Sequence, residues 1–477
     1  MSAYLRSIDE VRALLGAQRQ AYDREGPVDA ATRRRRLQAV IELLVAEQNR
    51  LLEAMDADFG GRHPGYSLMT DVLGALSSLK HARSHFEQWM QDSPRPPFAP
   101  YDQLGAEAWV QYRPKGSVGI IGTWNAPVFT LLSPLAGVLA AGNRAILKPS
   151  EIVPNTAQVL AEAIADRFDP LELAIVTGGV EVGQGFASQP FDHLVFTGGT
   201  SIGRDVMRRA AENLVPVTLE LGGKSPAIVG RSADIADAAR RLAIAKFTNG
   251  GQICVSPDLV YVPVEQKQAF IGALRDAVGV LYPRAAGNPD LVAVVNERHL
   301  QRIDRYLADA EAQGAEIIRC PDEAPVPGCC KRPLSVVVNP PLHSLVMQEE
   351  IFGPAMVLLT YSDLPAVVEE INSRPRPLAL YYFGHDQAEQ DYVLGHTLSG
   401  GVTINDAMMH PAMHDAPFGG VGASGMGHYH GWEGFCQFSH ARTIFKAPAY
   451  DPRGEWGLLP PYGENLLATL QAQVTAD

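Results

Sequence analysis

His193-Leu194-Val195-Phe196-Thr197-Gly198-Gly199-Thr200-Ser201-Ile202-Gly203 reads as a buried strand, a glycine turn and the opening of a helix. The apolar run has the length of one strand, and helical spacing continues over 201–213. Glycines at such a junction let the backbone turn sharply, and the N–H groups that open the helix suit a phosphate. The glycines are Gly198, Gly199 and Gly203, so the G-x-G-x-x-G fingerprint fails, and a plain strand-to-helix turn stays open as an alternative. Outward from this stretch the same order recurs. Residues 117–122, 144–147, 173–176 and 216–220 read as strands, and 128–141 and 156–167 as helices. Strand, glycine turn and helix in repetition predict an α/β fold with a Rossmann-like parallel sheet covered on both faces. Ligands bind such sheets at the carboxyl ends of the strands. A second α/β stretch follows from Ser225 to about Phe383, with no internal repeat and no low-complexity segment.

The 477 residues are too many for one core, so more than one domain is expected. Hydrophobic content of 46% and charged content of 19% are those of an ordinary globular protein, and no window is apolar enough to span a membrane. The net charge of −13 argues against nucleic-acid partners. Five cysteines show neither a disulfide framework nor zinc spacing, so no metal site and a reducing, cytoplasmic compartment are expected. Residues 1–20 read as an amphipathic helix rather than a signal peptide. The basic run Arg33 to Arg36 reads as a solvated helix face, 93–100 as a Pro-rich linker, and 109–113 as an edge strand in need of a partner.

Two residues stand out chemically. Cys254, in Gly250-Gly251-Gln252-Ile253-Cys254, is a thiol in a glycine-rich turn, able to act as a covalent nucleophile. Glu220, in Thr218-Leu219-Glu220-Leu221-Gly222-Gly223-Lys224, is a carboxylate able to activate the water that would release an acyl group. Taken singly, Cys254 is equally a small buried hydrophobe, Glu220 a partner for Lys224, and Asn125 a turn former before Pro127. Lys148 and Glu151, just past a strand end, suit the hydroxyls of an adenosine ribose, and a carboxylate there favours NAD over NADP. The plain alternative is that Ser150 or Glu151 starts a helix.

Seven segments in order carry a family resemblance over nearly the whole chain. They are Gly122-Thr123-Trp124-Asn125-Ala126-Pro127, Lys148-Pro149-Ser150-Glu151, Phe196-Thr197-Gly198-Gly199-Thr200, Leu219-Glu220-Leu221-Gly222-Gly223-Lys224, Gly251-Gln252-Ile253-Cys254, Glu349-Glu350-Ile351-Phe352-Gly353-Pro354, and Pro417-Phe418-Gly419-Gly420 with Ser424-Gly425-Met426-Gly427. The chain resembles the NAD(P)-dependent aldehyde dehydrogenases. Its end segment, from Gly427-His428-Tyr429-His430-Gly431 to His440, resembles the class 3 branch and, within it, the coniferyl aldehyde dehydrogenases.

The resemblance implies that Cys254 captures the aldehyde, that the Asn125 amide and the Cys254 backbone N–H hold the tetrahedral oxygen, and that Glu220 activates the hydrolytic water. It assigns NAD, with NADP possible, to Lys148 and Glu151 at the adenine ribose, to Gly198 and Thr200 along the pyrophosphate and to Trp124 packed by the cofactor, with Thr123, Ser150, Gly203 and Leu221 as further cofactor-binding residues. Glu350 would hold the nicotinamide ribose, with Phe352 near the ring. It implies a cofactor domain over 1–96 and 116–220, a catalytic domain over 221–403, and an oligomerisation arm and C-terminal segment over 97–115 and 404–477. A homodimer and a small aldehyde substrate are the expected partners. Ala126 departs from the aromatic residue common at that position, leaving room for a bulky aldehyde. The loop 406–415, with Met408, Met409, His410 and His414, either lines the aldehyde tunnel or is a surface loop. His428, Tyr429 and His430 read as packing or interface residues. A coenzyme A-acylating enzyme and a non-catalytic protein on the same scaffold are the competing readings.

Overall fold

The computed structural model describes residues 2–476. The chain divides into two units: one holds the part up to Trp89 together with Pro114–Ser439, the other Met90–Arg113 and the segment from His440 onward. The first unit carries two seven-stranded sheets. One runs in the order Tyr4–Leu5, Leu173–Val176, Arg144–Lys148, Ser117–Ile121, His193–Thr197, Val217–Glu220, Gly425–Met426. All neighbours are parallel except the last pair, where Gly425 lies opposite Glu220. Its inner strands are buried along their whole length, as apolar runs in a doubly covered parallel sheet must be. The strand order reverses at Ser117–Ile121, and such a switch point opens a crevice at the carboxyl ends. Thr123 to Asn125, Gly198 to Thr200 and Leu221 to Lys224 all leave those ends.

The other sheet orders Glu316–Cys320, Leu334–Val338, Ala355–Tyr361, Leu259–Pro263, Pro226–Val229, Ala379–Phe383 and Gly401–Ile404, with only the Glu316–Cys320 edge antiparallel. The second unit is built on a three-stranded sheet in the order Ser439–Lys446, Glu107–Pro114, Ser93–Arg95.

Several expectations change. Tyr4–Leu5 is a strand beside Leu173–Val176, and the first helix begins only at Ile8. Ser7 caps that helix reciprocally with Glu10, which fixes its start. The basic run is a solvated face only at Arg34 and Arg35, which are exposed. Arg33 and Arg36 are buried: Arg33 Nη1 donates to the Ala140 carbonyl at 2.9 Å, and Arg36 Nε lies 3.2 Å from Glu172. The Pro-rich segment supplies the strand Ser93–Arg95, and Glu107–Pro114 is the central strand of its sheet rather than an edge. No helix among the described residues is long and apolar enough to cross a membrane.

Candidate active site

The Cys254 turn follows the helix Ile235–Phe247. Asn249, Gly250 and Gly251 take φ of 51°, 62° and 75°, the left-handed region open to glycine and tolerated by asparagine. A Cβ at Gly251 would collide with the Gly353 carbonyl, so this turn needs glycine twice over. Gln252 is fully buried and pins the turn: Nε2 donates to the Asn249 and Ala293 carbonyls at 2.9 and 3.0 Å, and Oε1 accepts from Val295 N–H at 3.0 Å. Asn125 and Asn249 tie this turn to the first sheet. Asn125 Nδ2 donates to the Gln252 carbonyl at 2.9 Å, and Asn249 Nδ2 donates to the Asn125 carbonyl at 2.9 Å. One Asn125 side-chain N–H is thus used for position, and the second remains for a ligand. Tyr381 Oη donates to the Val255 carbonyl from the other side.

Glu220 ends the strand Val217–Glu220 and is buried with Oε1 unpartnered. Burial pushes its carboxyl up to about 8, and the facing Cys254 thiol opposes that shift. The thiol itself is pushed well above its ordinary range by burial and by the negative charges of Glu220 and Glu350, although Cys254 as a residue stays half-buried. Lys224 is not the partner of Glu220: its Nζ reaches Asp258 at 2.6 Å and the Val346 and Glu349 carbonyls at 2.7 and 3.0 Å.

Glu350 lies over Gly222, where a Cβ would overlap its carboxylate. Burial and Asp258 push the Glu350 carboxyl up to about 8, against the Gly223 N–H and the charges of Lys224 and Lys246. Lys246 is buried in turn and pulled down to about 8. Arg302 fixes this segment by donating to the Glu350 and Phe352 carbonyls at 3.2 and 3.3 Å. Phe352 meets Trp124 edge-on, with centroids 5.5 Å apart. Lys148 is buried, its Nζ 2.7 Å from the Pro149 carbonyl and 3.9 Å from Glu151. Ser150 Oγ accepts from Ile152 N–H at 3.3 Å. Neither Ser150 nor Glu151 caps the next helix, whose N-cap is Val153; Asp58 accepts from its Asn155 and Thr156 N–H groups instead.

The helix Thr200–Ala211 has no side-chain cap and no acidic residue in its first turn. Gly198 N–H donates to the Glu220 carbonyl at 3.1 Å, and Thr200 Oγ1 donates to the Ala423 carbonyl at 3.3 Å. Gly203 admits the Leu221 side chain, which would lie 2.6 Å from a Cβ there. Leu221 N–H donates to the Ser424 carbonyl, and Thr123 N–H to Thr130 Oγ1 at 3.1 Å. These residues fit a dinucleotide. An uncapped helix N-terminus suits its phosphates, and the Glu350 carboxyl, which packs directly on side-chain-free Gly222, is a group able to hold ribose hydroxyls.

Sequence reasoning missed Lys246, Asn249 and Tyr381, which no motif marks, and gave Gln252 no role although it stands in the Gly251-Gln252-Ile253-Cys254 segment. Tyr429, read as packing, is buried and close enough to feel the charges of both Glu220 and Cys254. His430 packs with Nε2 2.9 Å from Ser133 Oγ. Within the 406–415 loop Met409 and Met413 are exposed, whereas Met408, His410 and His414 are half-buried. Among the described residues, no group of acidic, His and Cys side chains is arranged to hold a metal.

Residues 3–444 match the model of the aldehyde dehydrogenase family. The chain belongs to this family. A probable coniferyl aldehyde dehydrogenase of Caulobacter vibrioides is 46% identical over 97% of this chain and 96% of its own length. The coniferyl aldehyde dehydrogenase of a Pseudomonas species is 43% identical over 98% and 97%. The substrate-bound Staphylococcus aureus AldH superposes with a TM-score of 0.90 at 33% identity, covering 98% of this chain and 99% of that one. The chain is an aldehyde dehydrogenase of the class 3-like branch, an NAD(P)-dependent enzyme that oxidises aldehydes.

Proposed function

We propose that this enzyme oxidises bulky aromatic aldehydes of the coniferyl type to their acids through a thioester on Cys254. The observation that carries this reading is the Cys254 thiol against the buried Glu220 carboxyl, whose Oε1 has no other partner, with the Asn125 amide tied to the same turn. Attack needs the thiolate, and the Glu220 carboxylate is the acceptor at hand for the thiol proton. Sulfur adds to the carbonyl carbon, and the new oxyanion takes hydrogen bonds from the spare Asn125 N–H and the Cys254 backbone N–H. One such donor is worth roughly a hundredfold to a thousandfold in rate. Bound NAD(P)⁺ supplies the hydride acceptor, held through Lys148, Ser150 and Glu151, the turn from Gly198 to Gly203, Thr123, Trp124, Leu221, Glu350 and Phe352. The carbon left behind is a thioester. Glu220 gives the thiol proton up to solvent before the second half-reaction; water then attacks the thioester, Glu220 takes a proton from that water, and the acid leaves as the C–S bond breaks and Cys254 departs as thiolate.

Glu220 favours water over coenzyme A as the acceptor, because an enzyme that passes its acyl group to a thiol has no use for a buried water-activating base. The substrate class rests on the names of the two bacterial relatives, the small Ala126, and the Tyr429 ring, which feels the charge of the thiol and packs on Phe418 at 5.7 Å. We assign residues 1–96 and 116–220 to cofactor binding, 221–403 to catalysis, and 97–115 with 404–477 to assembly. The assembly is a homodimer through the three-stranded sheet. Five free cysteines suit a reducing, cytoplasmic setting. NADH and NADPH formation at 340 nm, with aldehyde and no coenzyme A, tests the reading. Turnover should be greatest on cinnamyl aldehydes and absent in Cys254→Ala. A preference for short aliphatic aldehydes would remove the substrate assignment, and turnover only with coenzyme A would remove the hydrolytic one.

A further inference from the structure

A buried ion pair outside the groups assigned above holds the chain after Asn125 directly and the chain before it through Phe59. Arg62 Nη2 and Asp71 Oδ2 are 2.6 Å apart, and both side chains are fully shielded from water. Asp71 sits in a π-helical turn, Leu68–Val72, inserted before the helix Leu73–Trp89. Such a turn costs regular hydrogen bonding and re-aims the side chain it carries, and it recurs at functional sites. Here it aims Asp71 at the start of another helix: Oδ1 accepts from the Val128 and Phe129 N–H groups at 3.1 and 3.2 Å. That helix, Phe129–Ala140, has no cap from its own N-cap residue Val128, so Asp71 supplies the cap from a distance. Asn125 stands three residues before Val128.

The other flank leads back to Arg62. Its guanidinium lies 4.7 Å from the Phe59 ring centroid and 5.0 Å from that of Tyr66. Phe59 in turn packs on Trp124, at 6.2 Å, the residue before Asn125. Within the turn, Thr130 Oγ1 accepts from Thr123 N–H and donates to the Ala126 carbonyl at 3.1 and 2.9 Å. The loop is therefore closed on itself and held to the protein by Asp71 after Asn125 and by Phe59 before it. A buried ion pair gives little net stability against an apolar replacement, and its best-attested use is to specify one geometry.

We infer that Asp71, held by Arg62, is a positioning residue that sets the Asn125 amide for the oxyanion. This rests on the oxyanion role of Asn125 proposed above. The test is a double-mutant cycle on kcat and KM with a cinnamyl aldehyde and NAD, using Asp71→Ala, Asn125→Ala and their combination. If the charge left on Arg62 prevents Asp71→Ala from folding, Arg62→Met/Asp71→Ala takes its place, since it buries no unpaired charge. Asp71→Ala should lower kcat tenfold to a hundredfold with KM for NAD within twofold. Arg62→Met/Asp71→Asn, which keeps an acceptor oxygen for Val128 and Phe129 without setting an amide N–H against the guanidinium, should recover most of the rate lost in Arg62→Met/Asp71→Ala. In the Asn125→Ala background the Asp71 replacement should change kcat less than threefold, because residues acting as one unit are not additive. If both single variants are slow and the double variant multiplies their losses, the positioning role is overturned and the oxyanion reading stands. An unchanged kcat in Asp71→Ala overturns it as well. If Asn125→Ala itself keeps full kcat, the oxyanion reading fails and takes this inference with it.

Discussion

At the residue scale the chemistry depends on how burial treats two carboxyls and one thiol. Glu220 is pushed up to about 8 because nothing but the thiol offsets its desolvation. A base works only when deprotonated, so kcat should rise with pH to a plateau above about 8. Stability runs the other way. Between the ordinary carboxyl value of 4.5 and about 8 the folded state binds more protons at Glu220 than the unfolded state does. The stability that Glu220 contributes therefore falls as pH rises through that window and is flat above it. Glu220→Gln should lose the rising limb of the kcat profile and about a hundredfold to a thousandfold of kcat. Rates measured from pH 6 to 10 decide the matter: a limb that persists in Glu220→Gln belongs to another group. Cys254, Glu220 and Asn125 were legible because each stands inside an ordered motif. Lys246 and Tyr429 were not, since a buried lysine in a helix and a tyrosine among histidines look like packing until the fold brings them to the site.

At the element scale, strands bounded by glycine were read to within a residue or two, because a continuous apolar run suits a parallel sheet covered on both faces. The helix Val180–Ala187 escaped notice, since Gly179, Gly183 and Gly185 weaken its propensity signal. Ser93–Arg95 was hidden by Pro94, which a strand tolerates at a sheet edge. The helix proposed above to receive the cofactor's phosphates is Thr200–Ala211. Its first-turn N–H groups have no side-chain acceptor, and Ser201 is exposed there. A carboxylate in that turn would satisfy the positive end of the helix dipole, worth about 0.3–1 kcal/mol, and would repel a phosphate from the same place. Ser201→Asp should hold or slightly raise the melting temperature of the ligand-free protein while raising KM for NAD several-fold with kcat little changed. An unchanged KM would place the pyrophosphate elsewhere. The opposed signs separate a lost binding site from a damaged fold.

At the scale of the whole molecule, the second unit is what local pattern could not supply. Residues 109–113 read as an edge strand in search of a partner, but Glu107–Pro114 already has one on each side, and one of them, Ser439–Lys446, comes from the far end of the chain. The two edges are therefore Ser93–Arg95, of 3 residues, and Ser439–Lys446, of 8 residues with side chains mostly exposed, and the longer one is the better template. A long open edge of this kind invites pairing, and a two-fold axis lets the same strand from a second copy supply it. In light scattering at micromolar concentration the protein should have twice the mass of one 51.5 kDa chain. Successive residues of an antiparallel strand direct their N–H groups to opposite neighbours, so Thr443 and Ile444 serve different edges. Proline lacks that N–H and should act differently at the two positions. One of Thr443→Pro and Ile444→Pro should give a monomer that melts close to the wild type, because it removes only a group on the open edge. The other should lower the melting temperature by breaking the pairing with Glu107–Pro114. A wild-type mass of one chain, or a dimer that survives both substitutions, would show that this edge is not where the chains meet.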